Sequence, residues 1–264
     1  MSLTKRRMEI FNLLQKNKAV EVNELAKQFQ VSAMTIRRDL NMLEKQGLAI
    51  TSYGGARLNM EHNVEPSFSL KSDLLVEYKN EIAMEASRFI QDGDTILIDT
   101  GTTPLQLCHY LQNKRIIVLT NSLPAINILQ AFTKVQLIVA CGQYNEISNG
   151  WHSAMTIDFF KQFKIDKAFL GTQGIDQHGS YIASMEEAQV KKAMIESARQ
   201  SFLLCDHTKF NQTFLAKYAT LRDFDCIITD TKTDKNIRKE YSEIIPVISP
   251  DKQENDFVTK IICK

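Results

Sequence analysis

Between residues 95 and 248, seven short apolar runs alternate with stretches of helical spacing. No other feature restricts the fold as strongly. The runs are 95–99, 116–119, 135–140, 167–170, 202–205, 226–229 and 245–248; the helical stretches are 104–111, 124–131, 151–163, 186–199 and 234–241. A strand covered on both faces reads as an unbroken apolar run. Such runs separated by amphipathic helices require parallel strands joined by crossovers, so the pattern predicts a doubly wound, mostly parallel α/β sheet. A further helix begins near Asp73 and carries Leu74, Leu75, Tyr78, Ile82, Met84, Ala86, Phe89 and Ile90. The α/β domain therefore spans 73–264, and 257–263 is read as a final edge element.

Residues 1–58 have a different rhythm. Leu3, Arg7, Ile10, Phe11 and Leu14 mark a helix over 4–16, followed by an extended link at 20–22. Asn23 is placed to cap a second helix with Leu25, Ala26 and Phe29 inward, and Gln30 and Val31 form the turn. Ser32 caps a third helix. Its Ile36, Leu40 and Leu43 share one face, while Met34, Arg38, Asn41 and Met42 lie opposite, flanked by Thr35 and Arg37. Gly47 is a stop. Segments 48–51 and 56–58 flank Ser52, Tyr53, Gly54 and Gly55, a hairpin pattern. Three helices and a hairpin make a winged helix-turn-helix, and 59–72, with Pro66 and no clear period, reads as a linker. Asp39 lies at the core edge of the third helix and reads as an internal partner for an arginine.

The formal net charge is +1, but residues 1–60 carry ten Lys/Arg against five acids, and the remainder 22 against 26. A basic head on a mildly acidic body directs a polyanion to one end. The expected partner is double-stranded DNA, contacted by Ser32, Met34, Thr35, Arg37, Arg38, Asn41, Tyr53 and Arg57. Met34 and Met42 either meet a thymine methyl or pack. The five cysteines (Cys108, Cys141, Cys205, Cys226, Cys263) are widely spaced and odd in number, as in reduced, mostly buried thiols of a cytosolic protein. No signal-peptide core and no apolar run of the ~20 residues needed to span a bilayer occur. A cytoplasmic protein without membrane contact is expected. The five histidines (His62, His109, His152, His178, His207) do not cluster, and no dinucleotide or Walker loop or nucleophile elbow is present. Neither metal nor cofactor is expected, and no catalytic residue is assigned.

Ligands of open α/β sheets sit beyond the carboxyl ends of the strands. There the sequence places Asp99, Thr100, Gly101, Thr102 and Thr103, then Asn121, Gly142, Gly171 and Gly174, and then Asp206 through Lys209. Glycine, two hydroxyls and Pro104 opening a helix suit a phosphate. Each loop alone also has a plain reading, as a turn or as a surface pair.

Arg6, Ile10, Leu14, Ser32, Thr35, Ile36, Arg37, Arg38, Asp39 and Leu40 together resemble the helix-turn-helix signature of the DeoR family of bacterial repressors. The strand-end loops resemble that family's sensor domain, which is itself similar to ribose-5-phosphate isomerase. The resemblance covers nearly the whole chain and is weakest in the linker and after about residue 230. It implies that 99–103 is the phosphate loop and that Asp176, Glu187, Lys191, Asp206 and Lys209 line the sugar end. Two departures, Cys141 in place of a second glycine and Tyr144-Asn145 where a basic residue is common, fall near the pocket mouth. The implied function is a transcriptional regulator, most often a repressor, of carbohydrate genes. It would be controlled by a phosphorylated sugar and assembled as a homo-oligomer, a dimer or tetramer. Two alternatives stay open: a sugar-phosphate isomerase or deaminase using Asp176, Glu187 and Lys191, or a small-molecule binder whose head docks protein.

Overall fold

A computed structural model describes residues 3–45, 47–59 and 66–250, and the chain divides into two units between Leu74 and Leu75. His62, Cys263, part of the expected linker and the expected 257–263 edge element lie outside the described residues.

The first unit runs α1 (Leu3–Asn17), β1 (Ala19–Glu21), α2 (Val22–Phe29), α3 (Ala33–Lys45), β2 (Ala49–Thr51), β3 (Gly55–Leu58) and α4 (Phe68–Ser72). Its core is Ile10, Leu14, Leu25, Ile36, Leu40 and Leu43 with strand residues such as Val20 and Ala56, as the helical spacing predicts. Ser32 Oγ accepts from Thr35 N at 3.1 Å and so caps α3. Gly47 closes the helix at φ +70°, a conformation glycine adopts without strain. Two expectations change. The link expected at 20–22 is the strand β1 up to Glu21, with Val22 already in α2; β1 is antiparallel to β3 with Val20 opposite Ala56, so the wing is a three-stranded sheet in the order β1-β3-β2. Asn23 does not cap α2: the cap position is Glu21, without a side-chain cap bond. In addition, the segment read as linker contains α4, whose Leu70 is buried in the first unit's core.

Asp39 is fully buried. Its Oδ2 accepts from Arg6 Nε at 2.6 Å and its Oδ1 from Arg7 Nε at 2.8 Å. The expected internal pairing is therefore a double one, and it joins α1 to α3.

The second unit begins with α5 (Val76–Ser87), β4 (Thr95–Ile98), α6 (Thr102–Leu107), β5 (Ile116–Thr120), α7 (Leu123–Leu129) and β6 (Val135–Val139). It continues through β7 (Tyr144–Asn145), β8 (Gly150–Trp151), α8 (Ala154–Phe160), β9 (Ile165–Gly171), β10 (Gly174–Asp176), β11 (Gly179–Ile182) and α9 (Met185–Ser197). The last elements are β12 (Ala198–Leu204), β13 (Ala216–Ala219), β14 (Cys226–Ile228), α10 (Lys235–Ser242) and β15 (Val247–Ile248). All seven expected runs enter one sheet, ordered β15-β14-β12-β9-β4-β5-β6 and parallel throughout. Side-chain alternation sends Leu97, Leu119, Ala168 and Leu203 into one core with α8, α9 and α10, and Ile96, Val118, Phe169 and Phe202 into another with α5, α6 and α7. From β4 the chain proceeds outward through β5 to β6, then returns to β9 on the other side of β4. The winding reverses there, so the switch point lies between β4 and β9.

The small sheet β10-β11-β13 and the hairpin β7-β8 are additions the sequence reading lacked. The hairpin also delays α8, expected from Trp151, until the Ser153 cap. Cys108, Cys205 and Cys226 are buried thiols, and Cys141 is exposed. No helix among the described residues is long and apolar enough to cross a membrane.

Replacing Asp39 with alanine leaves two guanidinium groups beside the core without their carboxylate. The expected cost is about 3 kcal/mol, the lower end for a broken buried pair because Arg7 keeps some solvent. Denaturant unfolding of the two proteins checks this, and an unchanged midpoint would contradict it.

Candidate nucleic-acid interface and effector site

With Ile36, Asp39, Leu40 and Leu43 buried, α3 turns Met34, Arg37, Arg38 and Asn41 outward. Met34 is 56% exposed, whereas Met42 is half-buried, which favours packing for the latter. Ser32 is exposed but occupied: besides the cap, its Oγ lies 2.9 Å from Thr35 Oγ1. Tyr53 stands fully exposed at the wing tip, and Arg57 points outward from β3. Glu44, which the sequence reading passed over, sets the wing against α3. Its carboxylate accepts from Thr51 N at 2.8 Å and Thr51 Oγ1 at 2.7 Å, and these bonds hold it below the usual carboxylate range. Hydroxyls, two guanidinium groups and an amide thus share a helix face suited to phosphates and base edges.

The second site is built where β4 and β9 end. Gly101, at φ +123°, turns the chain sharply from β4 into α6. The amides of Thr102 and Thr103 open that helix and have no carbonyl four residues earlier within it. Gly171 N donates to Asp99 Oδ2 at 2.9 Å, stitching the two strand ends together. Lys191, reaching from α9, bonds the same carboxylate oxygen and also Gly171 O at 3.1 Å, with Glu187 Oε1 at 3.5 Å. Thr100 Oγ1 bridges Asp99 and Glu187, 3.4 Å from each. Tyr218 closes this set from β13, donating to Gly171 O at 2.9 Å with its ring 5.5 Å from the ammonium. Burial opposes the Lys191 charge, but the Asp99 and Glu187 carboxylates outweigh it and hold the ammonium above the usual lysine range. Burial raises the Tyr218 phenol as well.

Asp99, Thr100, Gly171, Glu187 and Lys191 are thus brought together, and Asp99 and Lys191 are almost wholly enclosed. The flanks are equally close. A Cβ on Gly150 would overlap Thr100 Cγ2 and the Asn121 carbonyl, so only glycine lets β8 lie against the end of β5. Asn121 is fully buried, and its Nδ2 donates to Trp151 O at 2.9 Å. Gly142 lies against Thr156 and Ser153 at the start of α8. Gly174 lies against Gln212. These two glycines mark close approaches within the fold.

Asp206, at the end of β12, is buried, which removes the surface-pair reading. Burial would raise its pKa, but Lys209, bonds from Thr208 and Lys79 together lower it. Beside it, His207 Nδ1 lies 3.0 Å from Asp230 Oδ1 and its ring meets Tyr78 edge-on at 5.1 Å. Asp176 is not brought to the centre. Its carboxylate accepts from His178 N, Gly179 N and the Tyr181 hydroxyl and so shapes the β10–β11 turn.

Two family descriptions match this chain: a DeoR-like helix-turn-helix domain over residues 6–62 and a DeoR C terminal sensor domain over 75–231. The glycerol-3-phosphate regulon repressor of Escherichia coli (strain K12) is 34% identical over 87% of this chain and 92% of its own length. The lactose phosphotransferase system repressor of Lactococcus lactis subsp. lactis is 32% identical over 94% and 99%. The transcriptional repressor GlcR of Bacillus subtilis (strain 168) is 32% identical over 85% and 87%. Among solved structures, ribose 5-phosphate isomerase A of Methanocaldococcus jannaschii aligns over 50% of this chain and 53% of its own, with a TM-score of 0.37 and 18% identity. With both of its units matched in order and relatives aligned over most of their length, the chain belongs to the DeoR family.

Proposed function

We propose that the protein is a cytoplasmic transcriptional repressor of carbohydrate genes, released from DNA by a phosphorylated sugar bound at the β4–β9 switch point. The observation that carries the DNA half is the outward face of α3, where Arg37 and Arg38 are exposed while Asp39 is paired internally. In the effector half, the Thr102 and Thr103 amides and hydroxyls behind Gly101 provide the phosphate seat. A homodimer or tetramer would set paired heads on half-sites ~34–36 Å apart. An effector releases DNA only if it binds the released arrangement more tightly than the bound one.

The enzyme alternative is disfavoured because Asp176, one of its three residues, is held in the β10–β11 turn, and because Lys191 is not free to act as a base. Its ammonium faces three acceptors, Asp99, Gly171 O and Glu187, and its raised pKa keeps it protonated at neutral pH. It has no lone pair to offer as a base. Turnover of pentose or hexose phosphates by the purified protein, at a rate typical of metabolic enzymes, would restore that alternative.

A gel shift on the DNA upstream of the protein's own gene tests the main reading: binding without effector and release by a sugar phosphate are expected. Arg38→Ala should weaken binding to that DNA, lower the slope of log affinity against log salt by about 1 if it meets a phosphate, and leave the melting temperature unchanged. Thr102→Val should weaken sugar-phosphate stabilisation roughly tenfold in ligand concentration while sparing DNA affinity, which thermal-shift titration measures. Lys191→Met, which leaves two buried carboxylates without their cation, should lose about 3–5 kcal/mol of unfolding free energy. A variant as stable as the parent would mean that the ion pair does not hold the sheet ends together.

A further inference from the structure

Two amide side chains flank the phosphate loop with half of their hydrogen-bonding capacity unused. Asn121 follows β5, the neighbour of β4 on one side, and Gln173 follows β9, its neighbour on the other. In each, one partner decides how the amide is oriented. Asn121 meets the Trp151 carbonyl, which accepts only, so the nitrogen must face it and the oxygen is left over. Gln173 meets the Ala183 N–H at 2.7 Å, which donates only, so the oxygen must face it and the nitrogen is left over. Asn121 Oδ1 and Gln173 Nε2 are both buried atoms without a hydrogen-bond partner. Leaving such atoms unmatched costs free energy, and a fold retains them where something else completes them.

We propose that Asn121 Oδ1 and Gln173 Nε2 are the groups of the effector site that read the hydroxyls of its ligand. This rests on the reading of 99–103 as the phosphate seat. An orphan acceptor on the β5 side requires a donor, and an orphan donor on the β9 side requires an acceptor. A hydroxyl supplies either, whereas an alkyl chain supplies neither and would seal both atoms against hydrocarbon. Glu187, Asp99 and Lys191 satisfy one another in the centre, so discrimination falls to these two flanking atoms. A site built to bond a hydroxyl strongly rejects the analogue that lacks it.

The test is titration of the full chain with two matched series, glycerol 3-phosphate and hexose 6-phosphates against propyl and hexyl phosphates. The parent protein should prefer the polyol esters by on the order of ten- to a hundredfold. Gln173→Met removes the orphan donor at the cost of the Ala183 N bond, and Asn121→Leu removes the orphan acceptor. In both, the preference should shrink toward unity, whatever happens to phosphate affinity as a whole. Gln173→Met carries the test if Asn121→Leu does not fold. Equal weakening of both series in the variants, or no preference in the parent, overturns the inference and leaves the phosphate seat standing. Failure of both series to bind overturns the phosphate reading and this inference with it.

Discussion

The buried pair of Asp99 and Lys191 is the contact on which the second unit turns. It sits where the winding of the sheet reverses, and it binds three separate elements: the end of β4, the end of β9 through Gly171, and α9. At the switch point the crossovers leave in opposite directions, so no connecting helix covers the gap between β4 and β9. Something else must hold the two ends in register. A charge pair in a low-dielectric setting can do so only if nearly every lone pair and proton is matched, because desolvation otherwise exceeds the attraction. Here Thr100, Glu187, Tyr218 and the Gly171 backbone supply the matches. The glycines around the pair follow from the same crowding: at Gly150 any side chain would strike Thr100.

The first unit repeats the device on a smaller scale. Asp39 lies on α3, the helix proposed to meet DNA, where an exposed carboxylate would repel phosphates. Burying it against Arg6 and Arg7 removes that repulsion and ties α1 to α3 in one step. The consequence for charge is specific. Of the ten basic residues among the first sixty, these two are occupied internally, while Arg37, Arg38 and Arg57 remain on the outer surface. Among the described residues, Glu44 has no such cationic partner: it accepts from the backbone and hydroxyl of Thr51 and ties the wing to α3.

Much of this was legible before any coordinates, and the limits have physical causes. All seven strands of the large sheet announced themselves because burial on two faces demands continuous apolar runs. The α3 face was legible because 3.6-residue spacing separates Ile36, Leu40 and Leu43 from Arg38 and Asn41. Pairing of Asp39 with arginine followed from its place at the edge of the apolar stripe, though the second arginine did not. The strands β10, β11 and β13 were missed because each is three or four residues long and two of them start on glycine, so neither alternation nor β-propensity had room to show. The hairpin β7-β8 escaped for the same reason, and its loss displaced the expected start of α8. At the site, the family resemblance put Asp99 in the phosphate loop and Lys191 at the sugar end; their enclosure as a pair depends on a contact across 92 positions that spacing cannot reveal. Gln173 gave no signal at all, since its significance lies in which of its two amide atoms Ala183 engages.

Satisfied and unsatisfied groups are arranged differently in a scaffold, an enzyme and a sensor. A catalytic centre keeps its acid or base poised to change protonation, which means leaving it incompletely paired near the reacting atoms. In this protein the titratable residues at the switch point are the most completely paired ones, and the unmatched valences belong to amides that do not titrate, Asn121 and Gln173. Charge locked in the middle and neutral donors and acceptors left open at the sides form a frame suited to holding a ligand. Such a frame can respond to a ligand only by binding it differently in different arrangements of the protein, which is the thermodynamic requirement for control of DNA affinity.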